Sequence, residues 1–275
     1  MGQITVGLPT FNNEKTIRQT IASLRDQNFK HWNCVLVDDC STDLTVKVAL
    51  EQIDCDKRFK VVNNSKRLGA AANWNKTLHY ADSKYFKLLC GDDVISESCL
   101  QIQLNSLEEN PTCSISVGLH DVINSQGKAL LKNLGMKDHG KILDLNQAIR
   151  KYVRSGTNFF GEPSFVLFRT RALVEGGGFD NNWSYLIDTS SYFNSLKFGD
   201  LISTGENLGS FRVSSTSWSS NLATTQLSES LEFIEYVFRL SEIKMRSYEK
   251  YMGISMASIR TLLRKVVFSK LHSLR

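Results

Sequence analysis

The chain has 275 residues, of which 41% are hydrophobic and 22% are charged, a composition typical of a folded globular protein rather than a disordered one. No run approaches the ~18 consecutive apolar residues of a membrane-spanning helix, and the N-terminus lacks the basic segment and apolar core of a signal peptide. The six cysteines lack the paired C-x-x-C spacing of zinc sites, so we expect reduced thiols in a cytoplasmic protein.

Strand-like and helix-like patterns alternate through the first half of the chain. A strand-like run over 4–8 is followed by a helical pattern that begins near Asn13, a residue that can cap it. After the second strand, Ser41 or Asp43 can cap the next helix. Such alternation predicts an α/β fold with a mainly parallel central sheet flanked by helices. The other predicted elements of this half are strands over 34–37, 59–62, 85–89 and 113–117 and helices over 68–80 and 99–107.

The alternation weakens beyond residue 117. Residues 124–127 have the composition of a hairpin turn, and the glycines at 176–178 break the chain. Residues 226–275 have helical periodicity without a strand signal, which predicts a C-terminal helical extension. The elements predicted between these points are a helix over 145–153, a strand over 164–168 and a helix over 186–196.

Two acidic pairs follow predicted strands, Asp38-Asp39 after the second and Asp92-Asp93 after the fourth. Ligands of an open α/β sheet bind beyond the carboxyl ends of its strands, so the two pairs can converge although about fifty residues separate them. Adjacent carboxylates repel each other unless a divalent cation or hydrogen-bond donors compensate, which indicates a binding site. Either pair can instead cap the helix that follows it, although Ser96 already offers a cap after the second pair.

The first predicted strand runs into Pro9-Thr10-Phe11-Asn12. This turn offers backbone N–H groups, the Thr10 hydroxyl and the Phe11 ring, which together can receive a nucleobase. Taken alone, such a sequence is a common turn. Its predicted position beside the first acidic pair favours a nucleotide site.

Four motifs in order resemble the family 2 glycosyltransferases, whose shared core is the single-domain nucleotide-sugar fold called GT-A. The likeness covers about residues 3–215. It implies a GT-A-type nucleotide-diphospho-sugar transferase fold, an inverting reaction and a divalent cation, Mn²⁺ or Mg²⁺. The motifs are LPTFN at 8–12, VDDCSTD at 37–43, LGAAANWN at 68–75 and GDD at 91–93.

The resemblance assigns roles to positions on the donor side. It implies that Thr10 and Phe11 border the base. Asp39 is implied to accept a hydrogen bond from the base, with Asp38 as the alternative. The residues implied to lie near the donor nucleotide are Arg67, Gly69 and Asn73.

Metal binding is expected at the second acidic pair, because a carboxylate-held cation neutralises the charge that builds on departing phosphates. Asp92 matches the D-x-D element of the family. Cys90 stands in place of the first acid of that element, which leaves Asp92 and Asp93 to hold the cation. Late in the chain, Arg212 is either structural or a phosphate contact, and Ser214 stands where the family often has a histidine.

On the acceptor side, residues 161–164 and 168–169 resemble the family segment that frames the acceptor. Asp188 matches the catalytic base of the family. An inverting transfer needs a carboxylate within hydrogen-bond reach of the acceptor hydroxyl, so that the proton leaves as the oxygen attacks the anomeric carbon. The alternative for Asp188 is a structural, hydrogen-bonded carboxylate.

The positive charge of the chain is concentrated at its C-terminal end. The whole chain carries +5, whereas residues 244–275 carry +7, from eight Lys or Arg against Glu249. Apolar and basic positions alternate there, which predicts a basic amphipathic helix that packs on the domain, rests on an anionic membrane surface, or does both. Nucleic acid is not an expected partner, because neither zinc-finger spacing nor an RNA-binding aromatic signature accompanies the charge.

We therefore expect an inverting, metal-dependent glycosyltransferase of surface polysaccharide assembly, cytoplasmic and resting on the inner membrane face. Its donor is a nucleotide-diphosphate sugar, by default a UDP-sugar, and its acceptor is a hydroxyl of a glycan or lipid-linked intermediate. The catalytic domain is expected over 1–220, with a nucleotide-binding half to about residue 117 and an acceptor half beyond it, and the helical extension over 221–275.

Two other functions remain open from the residues alone. A dinucleotide-dependent oxidoreductase shares the alternation of strands and helices, but the turn after the first strand lacks the G-x-G-x-x-G signature. A catalytically idle protein that binds sugar nucleotides or carbohydrate is consistent with Cys90 and Ser214.

Overall fold

The computed structural model describes residues 2–213, 226–240 and 246–273, of which positions 239–240 and 262–273 are described by their backbone alone. Within these ranges, ten strands form one sheet between layers of helices. The strands are β1 (Ile4–Thr10), β2 (Trp32–Asp38), β3 (Phe59–Asn63), β4 (Tyr85–Leu88), β5 (Val94–Ile95), β6 (Cys113–Ile123), β7 (Ala129–Leu134), β8 (Ile142–Leu143), β9 (Val166–Arg169) and β10 (Asp200–Arg212). The helices are α1 (Ile17–Arg25), α2 (Thr45–Ile53), α3 (Ala70–His79), α4 (Cys99–Glu109), α5 (Leu145–Ser155), α6 (Thr170–Glu175), α7 (Ile187–Ser195), α8 (Gln226–Leu240) and α9 (Ser247–Ser273).

The sheet has the order β3-β2-β1-β4-β9-β6-β10-β5, with β7 beside β6 and β8 beside β10. The first four strands of this order are parallel, as predicted, because each is joined to the next in the chain by a crossover helix. Beyond β4 the sheet is mixed. Strand β9 runs antiparallel to both of its neighbours, and β6 and β10 are parallel to each other. The change from parallel to mixed pairing occurs in the part of the chain where the alternation of strand and helix patterns weakens.

The first two helices begin differently from the prediction. Helix α1 starts at Ile17, because the Asn13 side chain accepts a hydrogen bond from the Phe11 N–H and does not cap the helix. The N-cap position of α2 is Leu44, and Asp43 accepts from the Thr45 N–H one residue inside the helix. The predicted hairpin turn is confirmed between β6 and β7, where Gly127 has φ +82° and its N–H donates to the Asn124 carbonyl.

Strand β10 was not predicted, although it has thirteen residues and borders the site. Its sequence contains Gly205 and Gly209 among polar residues, and its pairing with β6 shifts register three times. Such irregularity removes the simple alternation that marks a strand. Strand β5 has only two residues and is too short to leave a pattern.

Each face of the sheet carries one apolar cluster. The first cluster lies under α1, α2 and α4, and it buries Ile17, Ile21 and Leu24, the predicted inner face of α1. The second lies under α3, α5, α6 and α7, and it includes Phe233 of α8 and Ala257 of α9. The C-terminal helices therefore share the core of the acceptor half.

Helix α9 packs closely against α5. A Cβ added at Gly253 would collide with the Val153 carbonyl, so only glycine permits this approach. Glu249 is buried at the same interface, 2.6 Å from a guanidinium nitrogen of Arg154. These contacts confirm the packing role for the start of α9, whereas the basic side chains beyond residue 261 lie outside the described ones. No helix in the described ranges is long and apolar enough to cross a bilayer.

Candidate active site

The donor end of the site begins where β1 and β2 end side by side, with Thr10 paired to Asp38. The Thr10 hydroxyl donates to Asp38 Oδ1 at 3.1 Å, and the Ser41 N–H donates to Asp38 Oδ2 at 2.8 Å. Asp38 is only 3% exposed. Its carboxylate therefore shapes the turn after β2.

Asp39 joins β2 to the segment that precedes α3. Its Oδ1 accepts from Asn64 Nδ2 at 2.9 Å and from the Leu68 N–H at 2.7 Å, and its Oδ2 accepts from the Gly69 N–H at 2.9 Å. Gly69 has φ +86°, a conformation that disfavours other residues. A carboxylate offers about four acceptor positions, so one remains after these three bonds.

Asn73 is connected to Asp39 through Asn64, whose side-chain amide donates to both residues. The side-chain amide of Asn73 donates to the Val37 carbonyl at 3.1 Å, and its oxygen accepts from Asn64 at 3.0 Å. Both asparagines are buried. Asn73 therefore fixes the partner of Asp39 rather than facing the open side itself.

A ring and a cation lie at the mouth of the donor end. The guanidinium carbon of Arg67 is 3.9 Å from the centroid of the Phe11 ring. Arg67 is exposed and Phe11 is half-buried. A planar cation on an aromatic face offers two flat surfaces, which is the shape that stacking with a base requires.

The second acidic turn, which follows β4, lies on the other side of Thr10. A Cβ added at Gly91 would be 3.2 Å from Thr10 Cγ2, and the Thr16 hydroxyl donates to the Gly91 carbonyl at 2.9 Å. The two acidic pairs thus flank one residue at the carboxyl edge of the sheet. This is the convergence that the strand pattern predicts.

Asp93 is fully buried within this turn. Its Oδ2 accepts from the Ser164 hydroxyl at 2.6 Å, and its Oδ1 accepts from the Arg212 N–H at 3.0 Å. Burial, and then the charge of Asp92, raise the pKa of Asp93 well above its usual range. The two hydrogen bonds give Asp93 a structural role within the turn. Its remaining acceptor positions still allow the predicted contact with a metal ion.

Asp92 is the half-exposed member of the pair. Burial raises its pKa to about 6, while its own backbone N–H and the charge of Arg212 act in the opposite direction. When both are ionised, two adjacent carboxylates at this turn fit a hard cation with oxygen ligands. Among the described residues, no three His, Cys, Asp or Glu side chains converge as a complete metal cage. A cation at Asp92 would thus take its other ligands from donor phosphates and water.

Arg212 has a structural role rather than a phosphate contact. It is 3% exposed, and its Nε donates to the Asp92 carbonyl at 3.0 Å. Its two terminal nitrogens donate to the Asn124 carbonyl and to Gln19 Oε1. Arg212 therefore fixes the end of β10 to the acidic turn. Ser214, the other late position of interest, lies outside the described residues.

Ser164 is a bridging residue that the sequence did not reveal. Besides donating to Asp93, its hydroxyl accepts from the Cys90 N–H at 3.0 Å. It belongs to the segment over 161–164 that resembles the acceptor frame of the family. Ser164 thereby joins the acceptor side to the acidic turn. Only the position within a family-like segment could have indicated it, since an isolated serine has no signal.

Asp188 is the second residue of α7 and is 8% exposed. Its Oδ1 accepts from the Thr189 N–H at 2.7 Å, and its Oδ2 accepts from Asn158 Nδ2 at 3.2 Å. Burial raises the pKa of Asp188 to about 6, although hydrogen bonds from Thr189 and Tyr192 favour the ionised form. A carboxylate that titrates close to neutral pH suits general base catalysis.

The segment over 158–164 connects Asp188 to the acidic turn. Asn158 Nδ2 donates both to Asp188 and to the Gly161 carbonyl, the latter at 3.0 Å. The Tyr192 hydroxyl donates to the same carbonyl at 3.4 Å. Three residues after Gly161 is Ser164, whose hydroxyl donates to Asp93. Asp93 and Asp188 are thus connected through the segment over 158–164, and the donor end lies beside the acidic turn at Thr10.

Comparison with known sequences gives a family and two informative relatives. The sequence profile of glycosyl transferase family 2 matches residues 5–177. TuaG of Bacillus subtilis, named for teichuronic acid biosynthesis, is 33% identical over 129 residues, covering 47% of this chain and 51% of TuaG. WfgD of Escherichia coli is 30% identical over 154 residues, covering 51% of this chain and 60% of WfgD. The name of WfgD describes it as a UDP-Glc:alpha-D-GlcNAc-diphosphoundecaprenol beta-1,3-glucosyltransferase.

Solved structures share the fold at low identity. TarS of S. aureus in complex with UDP-GlcNAc has a TM-score of 0.71 at 18% identity, covering 94% of this chain and 71% of that one. Mannosyltransferase PcManGT of Pyrobaculum calidifontis, in complex with GDP-Man and Mn²⁺, has a TM-score of 0.64 at 15% identity, covering 93% and 69%. At these identities the likeness shows the fold alone. The matched regions span about half to three fifths of the two curated relatives.

Proposed function

The chain belongs to glycosyl transferase family 2, and we propose that it is an inverting transferase that moves a sugar from a nucleotide-diphosphate donor to an acceptor hydroxyl. The observation that carries this proposal is the arrangement in which Asp39 and the acidic turn follow strands on either side of β1, and Asp93 is connected to Asp188 through the segment over 158–164. It provides a place for the nucleotide at one end and a carboxylate with a pKa of about 6 at the other. A dinucleotide-dependent oxidoreductase would also need a nucleotide site, but the turn after β1 lacks its G-x-G-x-x-G signature.

In the proposed reaction, Asp188 accepts the proton of the acceptor hydroxyl while the hydroxyl oxygen bonds to the anomeric carbon. The bond between that carbon and the diphosphate oxygen breaks on the opposite face, so the configuration inverts. Asn158, Thr189 and Tyr192 hold the Asp188 carboxylate in place. Their hydrogen bonds also favour the ionised base before the transfer and restrict its orientation.

A divalent cation, Mn²⁺ or Mg²⁺, would supply charge neutralisation for the departing diphosphate. We propose Asp92 as its main protein ligand, with Asp93 beside it. Ser164 and the Arg212 backbone hold Asp93, and through it the whole turn, in one orientation. The donor end is proposed to comprise Thr10, Phe11, Asp39, Arg67, Gly69 and Asn73.

The proposed donor is a UDP-sugar, and the proposed acceptor is a glycan or lipid-linked intermediate of surface polysaccharide assembly. The names of WfgD and TuaG support these classes, and the fold shared with a UDP-GlcNAc complex is consistent with them. We assign the catalytic domain to residues 1–220 and the helical extension to 221–275. This boundary divides the sequence but not the packing, because α8 and α9 share an apolar core with the catalytic domain.

We also propose that the enzyme rests on an anionic membrane surface through α9. The face of α9 opposite its α5 contact exposes Tyr248, Tyr251, Met252 and Ile259, of which Tyr251 is 65% exposed. Aromatic and apolar side chains beside a segment that carries +7 suit the interface of an anionic bilayer.

Vesicle sedimentation tests the membrane proposal. The wild type should bind phosphatidylglycerol vesicles at low salt and dissociate from them at high salt. The triple variant Tyr248→Ser, Tyr251→Ser and Met252→Ser should lose this binding. The matched control, Leu44→Ser with Leu50→Ser, removes exposed leucines from α2 and should bind as the wild type does. Unchanged binding by the triple variant would contradict this surface.

Calorimetry and a donor screen test the transferase proposal. UDP should bind, and more tightly with Mn²⁺, and UDP-glucose or UDP-GlcNAc should be slowly hydrolysed or transferred. Binding without turnover of any nucleotide sugar would favour the idle binding protein. Absence of UDP and GDP binding, with or without Mn²⁺, would overturn the proposal.

A further inference from the structure

Helix α8 reaches back over the loop that leads into α7. Glu229, in the first turn of α8, accepts hydrogen bonds from the backbone N–H groups of Ser184 and Tyr185. The preceding residue, Trp183, packs edge-on against Phe233 of α8, with ring centroids 4.9 Å apart. Three consecutive loop residues are thus held by one helix, two of them by a single carboxylate.

This loop ends immediately before the helix that carries Asp188. The N-cap position of α7 is Leu186, which provides no side-chain cap. The first turn of a helix has N–H groups without helical partners, and a missing cap leaves its direction to outside contacts. Glu229 supplies such a contact one and two residues ahead of Leu186, and Asp188 follows two residues after it.

The bonds that Glu229 accepts are of the stronger kind. A carboxylate that accepts from backbone N–H groups forms charge-assisted hydrogen bonds, which are shorter and stronger than neutral ones. A negative charge ahead of a helix N-terminus is also favourable. Glu229 is half-buried, so water competes only partly for its oxygens. The entry of α7 is therefore fixed by a residue about forty positions further along the chain.

We propose that Glu229 is a positioning residue for sugar transfer, one that sets the orientation of Asp188 through the loop over 183–186. The inference rests on the proposed function, in which Asp188 is the base. A displacement of about 1 Å at a reacting group can cost about a hundredfold in rate, so such a contact acts on kcat. Glu229 lies beyond the residues 5–177 matched by the family profile, which therefore assigns it no role.

A purely stabilising contact would have a different signature. Loss of a carboxylate that only supports the fold would lower thermal stability and leave the local order at α7 and the turnover number of the folded enzyme unchanged. Asp144 offers the matched control, because its carboxylate accepts from the Gln147 N–H at 2.7 Å at the start of α5. Like Glu229 it is a carboxylate that accepts from a backbone N–H near a helix start, and within the part of the chain that the structure describes none of its hydrogen bonds reaches the loop before α7.

The experiment compares Glu229→Gln, Glu229→Ala and Asp144→Ala in the full chain. Hydrogen exchange at residues 183–190, UDP affinity by calorimetry, Tm, and UDP release from UDP-glucose and UDP-GlcNAc are measured for each. Both Glu229 variants should exchange faster at 183–190 and keep UDP affinity. Their kcat should fall, about tenfold or more for Ala and less for Gln, which retains one carbonyl acceptor. Asp144→Ala should lower Tm without either change.

The outcomes separate this inference from the proposed function. Unchanged exchange at 183–190 in Glu229→Ala would overturn the positioning role, as would a kcat equal to that of Asp144→Ala. A wild-type enzyme that turns over neither nucleotide sugar would instead count against the transferase proposal. In that case, faster exchange in the Glu229 variants would still support the contact, and unchanged exchange would still refute it.

Discussion

The two ends of the candidate site are built in different ways. The donor end is made by neighbouring parallel strands, where Thr10, Asp38 and Asp39 lie at the ends of β1 and β2 and their hydrogen bonds reach no further than about thirty residues along the chain. The acceptor end combines Asn158 and Ser164 of the segment over 158–164 with Asp188 of α7, and the loop before α7 is held by α8 from further along the chain.

This difference separates what the parallel sheet determines from what long-range packing determines. Strand ends meet wherever the parallel sheet forms, so the donor end follows from topology. The acceptor end follows from long-range packing, much of it outside the profile match over 5–177. Nucleotide binding should therefore tolerate changes in the acceptor end, while transfer should depend on both.

The largest expected effect comes from Asp188→Asn, which removes the proposed base and keeps the shape of the side chain. Transfer should fall by about 10²–10⁴-fold, the usual contribution of a general base. UDP affinity should stay within error, because the donor end is separate. Turnover by this variant near the wild-type rate would refute the role of Asp188 and, with it, the proposed division between the two ends.

Asp39→Asn tests the donor end in the same way. An amide places an N–H where the carboxylate accepts from Leu68, Gly69 or Asn64, which costs about 1.5–3 kcal/mol. UDP binding, measured by calorimetry, should weaken roughly tenfold to hundredfold. As a control, Asp56→Asn loses the pairing with Arg58 away from these strand ends and should leave UDP affinity unchanged. Equal affinities in all three proteins would contradict the donor assignment.

Asp92 and Asp188 both have a pKa of about 6, so the pH dependence of transfer should report Asp188 when saturating cation and donor keep Asp92 ionised. Asp188 must be ionised to accept a proton, and its pKa of about 6 exceeds the ordinary value of 3.8, so protonation inactivates it below pH 6. At saturating donor, cation and acceptor, kcat should fall about tenfold between pH 7 and pH 5. Donor affinity should be measured over the same range as the internal control. A kcat that stays level down to pH 5 would be inconsistent with a base in this environment.

The smallest expected effect belongs to Arg67→Ala, which removes the cation from the Phe11 ring. An exposed contact of this kind contributes about 0.5–1 kcal/mol, so UDP affinity should fall only two- to fivefold, or more if the base stacks there. Lys60→Ala removes a comparable cation from the Tyr80 ring, at 4.0 Å, and should not affect UDP. Indistinguishable UDP affinities of these two variants would remove Phe11 and Arg67 from the donor end.

A structural feature can be predicted from the sequence when the residues that determine it lie close together along the chain. The parallel strands, the hairpin turn at 124–127 and the family motifs are local patterns, and the fold predicted from them is confirmed. The predicted start of α1 near Asn13 is wrong by a few residues, because the Asn13 side chain accepts from the Phe11 N–H and does not cap the helix. Strand β10 was missed because its bulges erase the alternation that marks a strand.

The partners of the site residues were beyond local reasoning. Ser164 and Arg212 meet Asp93 across about 70 and 120 positions of the chain, and no periodicity predicts such contacts. The buried state of Asp93 likewise follows from packing rather than from its neighbours in sequence. The sequence could name the carboxylates, whereas their burial and their hydrogen-bond partners needed the structure.

The glycine contact between α5 and α9 limits how this protein can be re-engineered. With Gly253 seated against Val153 and Gly156 against Ala257, a graft of the tail from a relative with bulkier residues would force the two helices apart. The displacement would reach Asn158, three residues beyond α5, whose amide holds Asp188. Chimeras meant to exchange acceptor preference should therefore transplant residues 145–261 as one block, and tail-only swaps should yield inactive hybrids.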